Sequence, residues 1–264
     1  MRKYLVIGNP IDHSLSPQLH NYWFKKNNIN GLYEKEKLSE DNLQNLVAKI
    51  KDKKIAGINI TVPFKKKIIQ HLDELSSEAA KTQSVNTVAL KNNKVIGYNT
   101  DIAGFESALE FKKYNPNKKK VLILGAGGVV SSLIFALYKM KASSVIVCNR
   151  TKSKAENLKN LFDNLKVVNW GEMPEFDMVI NATSVGLKSD DELELDFSKG
   201  GKGKFFYDVI YNPKETNFLK KGKELGNETE NGRRMFIYQA AESFNIWHGL
   251  KPDINEETSS VLDV

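Results

Sequence analysis

The sequence predicts an α/β protein with two domains, each built on a mostly parallel β-sheet with helices on both faces. Strand-like and helix-like segments alternate through the first hundred residues, as they do in βαβ units. A second series of the same kind starts at the apolar residues 121–124, which a glycine-rich turn follows directly. The polar residues 113–120 separate the two series and place a domain boundary near the start of the preceding helix.

The individual elements follow from local patterns of apolar, β-branched and turn-forming residues. In the first series we predict strands at residues 4–8, 32–38, 55–62, 85–90 and 94–98. Helices are predicted there at residues 16–27, 39–51, 65–72, 76–81 and 101–112. In the second series we predict strands at residues 121–124, 144–149, 165–168, 178–181 and 205–209, and helices at 129–141 and 233–247.

The charge of the chain is basic, with a net value of +7. Such a charge is compatible with nucleic-acid binding, but the lysines are dispersed along the chain. Their short clusters, residues 65–67 and 118–120, lack interleaved aromatic side chains. We therefore expect no nucleic-acid partner but a solvated, lysine-rich surface whose positive field would attract anionic cofactors or carboxylate substrates.

Other features of the composition predict a cytoplasmic protein. No run of about 18 apolar residues is present, so we expect no membrane-spanning helix. The apolar stretch near the N-terminus is too short for a signal peptide. Cys148, the single cysteine, lies in the apolar run 145–148, which predicts a buried structural thiol. The four histidines lack metal-ligand spacing, so no metal site is expected.

The most informative single stretch is residues 58–65, Ile-Asn-Ile-Thr-Val-Pro-Phe-Lys. Asn59 and Thr61 alternate on one face of a β-branched strand, and Pro63 ends the strand because it has no N–H to donate. Since buried amides and hydroxyls need hydrogen-bond partners, this strand end could present Asn59, Thr61 and Lys65 to a polar ligand. A solvated sheet edge followed by a lysine-rich turn explains the same residues equally well.

The glycine-rich turn after residues 121–124 predicts a dinucleotide site. It consists of Gly125, Ala126, Gly127 and Gly128, and a predicted helix follows at once. Glycines here let the backbone turn tightly and approach a pyrophosphate, whose charge lies at the helix N-terminus. A plain strand–helix turn is the alternative interpretation.

The tip of the next strand predicts which dinucleotide is bound. A carboxylate there would bind the ribose 2′-hydroxyl of NAD, whereas this chain has Asn149, Arg150, Thr151 and, one turn later, Lys154. Hydrogen-bond donors and positive charge favour a 2′-phosphate, so the expected cofactor is NADP. A surface loop of ordinary basic residues is the alternative.

Together these motifs resemble the shikimate dehydrogenase family over nearly the whole chain, in the same order. Besides residues 59–65, the resemblance rests on residues 13–17, 85–87, 97–101, 181–186, 208–213 and 232–239. It implies a substrate domain of residues 1–101 and 232–264, an NADP-binding Rossmann-type domain of residues 102–231, and a cleft between them. A monomer or homodimer is expected by the same resemblance.

The resemblance also implies the reaction and the roles of individual residues. Lys65 and Asp101 would be the catalytic pair, with Lys65 donating a proton to the oxygen that forms when 3-dehydroshikimate is reduced to shikimate. The substrate-binding residues would be Ser14, Ser16, Asn59, Thr61, Asn86, Tyr211 and Gln239. Thr183, Gly232 and Met235 would join the cofactor-binding residues of the glycine turn and the strand tip.

Three of these residues have plain structural alternatives. Ser14 and Ser16 precede a helix that starts with Pro17 and could cap it, while Asp101 is well placed to cap the helix that follows it. For the chain as a whole, the alternatives within the same class are a quinate-active relative or one with another hydroxy-acid substrate. From a different class they are a non-catalytic NADP-binding regulator and a basic nucleic-acid-associated protein.

The chain departs from the usual family pattern at three places. Gln83 stands where glycine is usual, which could alter the loop before Asn86. Val129 and Val130 replace smaller residues after the glycine turn. Arg234 lies near a position where a second glycine is often found, and we expect its side chain to point to solvent.

Overall fold

The computed structural model describes residues 1–188 and 190–263. The chain forms two compact units, Met1–Gly104 with Ile237–Val264, and Phe105–Phe236. Both divisions lie a few residues beyond the boundaries expected from the sequence. No helix in the described part of the chain is long and apolar enough to cross a membrane.

The first unit is built on a six-stranded mixed sheet. Its strands are β1 (Arg2–Gly8), β2 (Gly31–Lys37), β3 (Gly57–Ile60), β4 (Glu74–Leu75), β5 (Thr87–Lys91) and β6 (Lys94–Tyr98). Their spatial order is β2-β1-β3-β5-β6-β4, and β5 runs antiparallel to both of its neighbours. Helices of this unit are α1 (Ser16–Lys26), α2 (Leu43–Lys51), α3 (Ser77–Thr82), the start of α4 (Asp101–Phe111), most of α8 (Arg233–His248) and α9 (Glu256–Ser260).

The second unit is built on a sheet of six parallel strands. These are β7 (Lys120–Leu124), β8 (Ser144–Cys148), β9 (Lys166–Val168), β10 (Met178–Asn181), β11 (Phe205–Asp208) and β12 (Glu228–Glu230), in the order β12-β11-β10-β7-β8-β9. Its helices include α5 (Val130–Lys139), α6 (Lys152–Glu156) and α7 (Asn217–Glu224). The predicted α/β class with two parallel-rich sheets is confirmed.

The structure corrects several predicted elements. The strand expected at 55–62 is only Gly57–Ile60, and the helix expected at 65–72 is a 3₁₀ turn, Lys67–His71. The helix expected at 39–51 begins as a second 3₁₀ turn, Glu40–Asn42, before α2. Sequence periodicity missed β4, β12, α6, α7 and α9, because each is short and has few apolar residues.

Side chains of the first sheet alternate between two cores. Leu5 and Ile7 of β1 join Ile58 and Ile60 of β3 in an aliphatic core with α2. Residues at the intervening positions face an aromatic cluster on the other side, which contains Tyr4, Trp23, Phe24, Tyr33, Phe244 and Trp247 around His20. The strand period of two residues thus sends one face of β3 to each core.

Gly57 lets α8 lie close to β3. A Cβ at Gly57 would lie 2.3 Å from Nε1 of Trp247, so only glycine leaves room for that indole. The indole N–H donates to the main-chain oxygen of Val88 at 3.0 Å. Asn59 lies two residues after Gly57 and therefore on the same face, directed toward α8.

Candidate active site

Lys65 and Asp101 form a largely buried ion pair in the first unit. The distance between Lys65 Nζ and Asp101 Oδ2 is 2.5 Å, and their side chains are 13% and 8% exposed. Lys65 follows the end of β3, where its main-chain oxygen accepts from the N–H of Val85. Asp101 is the first residue of α4, and its own N–H donates to Asn99 Oδ1 at 3.2 Å.

The carboxylate of Asp101 accepts hydrogen bonds from side chains rather than from the main chain of the helix. Oδ2 accepts from Lys65, and Oδ1 accepts from Nδ2 of Asn86 at 2.9 Å. The alternative in which Asp101 acts as the N-cap is therefore wrong, because the helix begins at Asp101 itself. An ammonium held in this way can donate a proton to a developing oxyanion.

Asn86 connects this ion pair to α8. Its Oδ1 accepts from the N–H of Thr100 at 2.8 Å, which fixes the orientation of the amide. Its Nδ2 then faces Asp101 and also donates to Oε1 of Gln239 at 3.3 Å. Three predicted site residues, Asn86, Asp101 and Gln239, are thus brought together with Lys65.

Asn59 is buried inside the first sheet. It lies in β3, which is an inner strand with four buried residues, so the solvated-edge alternative is wrong. Its Oδ1 accepts from Tyr33 Oη at 2.7 Å, and its Nδ2 faces Ser243 Oγ at 2.9 Å. Nδ2 also lies within bonding distance of Thr87 Oγ1 and of the main-chain oxygen of Asn86. These bonds give Asn59 a buried structural role, and its expected contact with substrate stays a prediction.

Thr61 differs from Asn59 because it lies beyond the end of β3. Its main-chain N–H donates to the oxygen of Ile7 at 2.9 Å, whereas its hydroxyl has no hydrogen-bond partner among the described residues. The side chain is half-buried. Thr61 can therefore offer a hydroxyl to a ligand, whereas the amide of Asn59 already has protein partners.

The two predicted serines lie together at the start of α1. Oγ of Ser14 donates to Oγ of Ser16 at 3.2 Å and accepts a long bond from the N–H of Ser16. Leu15 holds the N-cap position, and no side chain caps the first turn. The alternative that the serines form an N-cap pair is therefore not supported, and their two hydroxyls lie beside each other.

In the second unit, the glycine turn leads from β7 into α5. Gly125 has a φ of +109°, and a Cβ there would lie 2.7 Å from the oxygen of Ala182, so the turn requires glycine. Gly127 is exposed, and a Cβ there would meet nothing closer than 3.9 Å. Packing therefore does not require glycine at position 127, whereas close approach of a ligand would.

The start of α5 suits an anion. Its N-cap is Val129, which has no side chain that can accept from the first-turn N–H groups. Ala126 is half-buried and Gly128 is exposed beside it. Val130 is fully buried, so this departure from the family pattern packs inward. These features fit a dinucleotide pyrophosphate at the turn.

The tip of β8 carries the predicted basic group. Arg150, Thr151 and Lys154 are exposed, and Nδ2 of Asn149 donates to the main-chain oxygen of Thr151 at 2.7 Å. In the described part of the chain, neither Arg150 nor Lys154 has a carboxylate partner. Nearby Lys159, in contrast, pairs with Glu156 at 2.6 Å. Uncompensated positive charge at this tip fits a 2′-phosphate.

The motif at residues 208–213 begins with a buried carboxylate, Asp208, whose structural role sequence reasoning missed. It is fully buried at the end of β11 and accepts from Thr216 Oγ1 at 2.6 Å, Ile210 N at 2.9 Å and Nδ2 of Asn181. Oδ1 of Asn181 in turn accepts from the hydroxyl of Thr183 at 2.7 Å. The predicted cofactor residue Thr183 is thus held through this network. An acidic residue at the end of an otherwise apolar strand is the one sequence feature that could have indicated a buried carboxylate here.

Burial raises the pKa of Asp208 to about 6, because its partners are all uncharged. The native state then binds a proton more tightly than the unfolded state, so stability falls as the pH rises from about 4 to 6. We expect the free energy of unfolding of wild type, relative to Asp208→Asn, to fall by about 2–3 kcal/mol across that window. Urea unfolding at several pH values measures it.

The control for this experiment is Asp196→Asn. Asp196 is an exposed carboxylate of the same unit, and hydrogen bonds from Ser198 lower its pKa. Its contribution has the opposite sign, since a lowered pKa adds stability above the unfolded pKa. If the free energies of unfolding of wild type and Asp208→Asn changed with pH in parallel, the conclusion that Asp208 is a buried carboxylate with a raised pKa would be contradicted.

The remaining predicted residues of the second unit lie around the start of α8. Tyr211 stacks on Phe236, with ring centroids 4.4 Å apart, and Met235 is buried. A Cβ at Gly232 would lie 2.1 Å from the main-chain oxygen of Val209, so packing alone requires this glycine. The guanidinium of Arg234 lies 3.2 Å from the ring centroid of Phe111, which is itself exposed, so the half-buried arginine lies at the surface of this unit.

Gln83, the first departure from the family pattern, adopts a left-handed conformation with φ 47° and ψ 42° at the C-cap of α3. Glycine adopts this conformation without strain, which explains why glycine is usual at this position.

No group of three potential metal ligands occurs among residues 1–188 and 190–263.

Three parts of the chain match known domain families. Residues 6–88 match the shikimate dehydrogenase substrate binding domain, and residues 107–199 match the shikimate / quinate 5-dehydrogenase family. Residues 232–256 match the shikimate 5′-dehydrogenase C-terminal domain.

Known proteins are similar over the full length. The shikimate dehydrogenase (NADP(+)) of Pelagibacter ubique is 55% identical, over 100% of this chain and 99% of its own. The crystal structure of shikimate dehydrogenase from Aquifex aeolicus has a TM-score of 0.90 at 37% identity, over 98% of this chain and 96% of that one. The crystal structure of shikimate 5-dehydrogenase from Thermus thermophilus in complex with NADP(H) and shikimate has a TM-score of 0.89 at 32% identity, over 99% of this chain and 98% of that one. The chain belongs to the shikimate dehydrogenase family.

Proposed function

We propose that this protein catalyses the reversible, NADPH-dependent reduction of 3-dehydroshikimate to shikimate, a step of aromatic amino acid biosynthesis. The observation that carries the proposal is the ion pair of Lys65 and Asp101, held by Asn86 and largely shielded from water. Its members are those expected from the family pattern. Family membership and the relatives named above support the reaction.

In this reaction, Lys65 is the acid. When bound, NADPH supplies the hydride that the carbonyl carbon of the substrate accepts. The ammonium of Lys65 donates its proton to the oxygen of that carbonyl and stabilises the negative charge that develops there. Asp101 holds the ammonium in place at 2.5 Å and offers a carboxylate oxygen to a neighbouring substrate hydroxyl. In the reverse direction the same amine accepts the proton.

The other residues of the first unit bind and orient the substrate. Ser14 and Ser16 donate hydrogen bonds to the substrate carboxylate, while Thr61, Asn86 and Gln239 bind ring hydroxyls. Support for this assignment comes from the half-buried hydroxyl of Ser14 and from the unpartnered hydroxyl of Thr61. We assign Asn59 to positioning instead, and Tyr211 stays a predicted substrate contact.

The second unit binds NADP in this proposal. The turn from Gly125 to Gly128 and the start of α5 hold the pyrophosphate. Asn149, Arg150, Thr151 and Lys154 hold the 2′-phosphate and the ribose, with Thr183, Gly232 and Met235 near the nicotinamide. The open space beside Gly127 and the uncompensated charge of Arg150 support this assignment.

We also propose that the protein acts in the cytoplasm as a monomer or homodimer. Its one cysteine, Cys148, is fully buried, and burial raises the pKa of the thiol, so it is suited neither to a disulfide nor to reactivity. Size-exclusion chromatography with light scattering measures the oligomeric state.

The experiment that tests the function is an absorbance assay at the NADPH band. Shikimate and quinate are each offered with NADP and with NAD. We expect turnover with shikimate and NADP, and little with the other combinations. Turnover of quinate would indicate the quinate-active alternative, whereas NADP binding without turnover of either acid would indicate a non-catalytic regulator.

Arg150→Ala is expected to raise KM for NADP by about 10–100-fold and to change KM for NAD little. Loss of a hydrogen bond to a charged group costs about 1.5–3 kcal/mol, which corresponds to that factor. The control is Lys159→Ala, since the charge of Lys159 is already paired with Glu156. Equal effects on the two cofactors would remove Arg150 from the 2′-phosphate site.

A further inference from the structure

A buried network of hydrogen bonds begins at Tyr33 in β2. The hydroxyl of Tyr33 donates to Oδ1 of Asn59 at 2.7 Å. Nδ2 of Asn59 faces three acceptors, Ser243 Oγ at 2.9 Å, Thr87 Oγ1 at 3.0 Å and the main-chain oxygen of Asn86 at 3.1 Å. Tyr33 is 1% exposed, Asn59 7%, and both hydroxyl residues 0%. Water therefore has little access to any member.

The same network ends at the catalytic pair. The hydroxyl of Thr87 donates to Oδ1 of Asn86 at 3.1 Å, and Nδ2 of Asn86 donates to Oδ1 of Asp101 at 2.9 Å. The other carboxylate oxygen of Asp101 holds Lys65. Tyr33 and Lys65 are thus joined by consecutive hydrogen bonds although neither contacts the other.

Chemistry fixes the direction of the bonds around Asn59. A main-chain oxygen can only accept, so the amide nitrogen of Asn59 must face Asn86, and Oδ1 must face Tyr33. Since Oδ1 can only accept, the hydroxyl of Tyr33 must be the donor. Without that hydroxyl, a buried carbonyl oxygen would lose its partner, which destabilises the arrangement that holds Asn86.

The ring of Tyr33 is itself held rigidly. It stacks on His20, with centroids 4.3 Å apart and ring planes 4° from parallel. Burial lowers the pKa of His20 to about 3, so the stacked ring is uncharged at neutral pH. Burial also raises the pKa of Tyr33 well above its usual value, which keeps the donated proton in place.

We propose that Tyr33 is a positioning residue for the Lys65–Asp101 pair, which it orients through Asn59 and Asn86. The inference rests on the proposed function, because its first test measures kcat for shikimate. Tyr33 does not touch the reacting atoms; its hydroxyl keeps Asn59 in the one orientation that holds the Asn86 segment and so directs the Asn86 amide toward Asp101.

The test compares Tyr33→Phe with Tyr4→Phe. Tyr4 is an equally buried tyrosine of the same aromatic cluster, also 1% exposed, but its hydroxyl lies near Arg2 rather than Asn59. We expect Tyr33→Phe to lower kcat for shikimate on the order of 10-fold while KM for NADP stays unchanged, because misplaced catalytic groups slow the chemical step. Tyr4→Phe is expected to keep the wild-type kcat.

A second variant separates positioning from folding. Ser243→Ala removes another partner of Asn59 from the same network and leaves Tyr33 intact. We expect it to lower kcat in the same way, and the double variant Tyr33→Phe/Ser243→Ala to lose less than the product of the two factors. Rates are measured well below the Tm of each variant. A Tyr33→Phe enzyme with a lowered Tm and wild-type kcat, like Tyr4→Phe, would overturn the proposal.

A spectroscopic readout keeps this test independent of activity. In ¹H–¹⁵N spectra, the side-chain amide signals of Asn86 should shift in Tyr33→Phe and stay in place in Tyr4→Phe, although the amide nitrogen of Asn86 is bonded to Thr100, Asp101 and Gln239. Unchanged Asn86 signals in both variants would contradict the network. If wild type turned over neither shikimate nor quinate, the proposed function would fail while this measurement still decided the coupling.

Discussion

Replacement of Lys65 by alanine is expected to lower kcat by about 10²–10⁴-fold and to change KM for shikimate little. The ammonium is needed where negative charge develops on the carbonyl oxygen, which is in the transition state rather than in the bound substrate. Its loss therefore reduces the rate of the chemical step more than binding. Steady-state kinetics with shikimate and NADP measures both parameters.

The matched control is Lys66→Ala. Lys66 is the next residue, carries the same charge and is exposed, with no ion pair in the described structure. It should behave as wild type. Lys65→Ala leaves the Asp101 carboxylate without its cation, which also lowers stability, so the folded fraction of each variant is checked by circular dichroism. Wild-type-like turnover in folded Lys65→Ala would refute the assignment of the acid.

Gly232→Ala is expected to lower stability by about 3 kcal/mol, because the new methyl group would overlap a main-chain oxygen that cannot move freely. That atom belongs to Val209, 2.1 Å from the Cβ position. For a chain of this size, the change corresponds to a fall in Tm of about 6–12 °C. Thermal unfolding followed by circular dichroism measures it.

Gly127→Ala is the counterpart of this variant. Nothing lies closer than 3.9 Å to a Cβ at this position, so we expect stability within about 0.5 kcal/mol of wild type. Binding of NADP should nevertheless weaken, since the methyl group would fill the space left for the pyrophosphate. The two variants separate a glycine required by packing from one required by the cofactor. Equal losses of Tm would contradict this distinction.

Much of the fold could be predicted because strong hydrophobic patterns define its elements. The inner strands β7, β8 and β10 are continuous apolar runs, and the helix α2 has a clear amphipathic period. The short polar elements were missed because α7, for example, has only two adjacent apolar side chains, Phe218 and Leu219, that are buried. Its N-cap hydroxyl, Thr216, is the signal that could have located it.

The candidate site was predictable in its residue types but not in the partners of each residue. The ion pair of Lys65 and Asp101 follows the family pattern. Asn59 shows the limit: a polar residue in a buried strand needs partners, but sequence alone could not say whether a ligand or Tyr33 and Ser243 would supply them. Residues that lie far apart along the chain meet only after folding, so no local pattern records their hydrogen bonds.

The contact of Gly57 with Trp247 has a consequence for how the chain folds during its synthesis. The strand that carries Asn59 is translated before the second unit, whereas the helix that covers its polar face is translated after most of that unit. Until then, Asn59 and Thr87 lack Ser243, and the main-chain oxygen of Val88 lacks the indole N–H. The second unit, Phe105–Phe236, is continuous in sequence and emerges whole before that helix is complete. The nascent chain can therefore complete its second unit before its first, the reverse of simple N-to-C order.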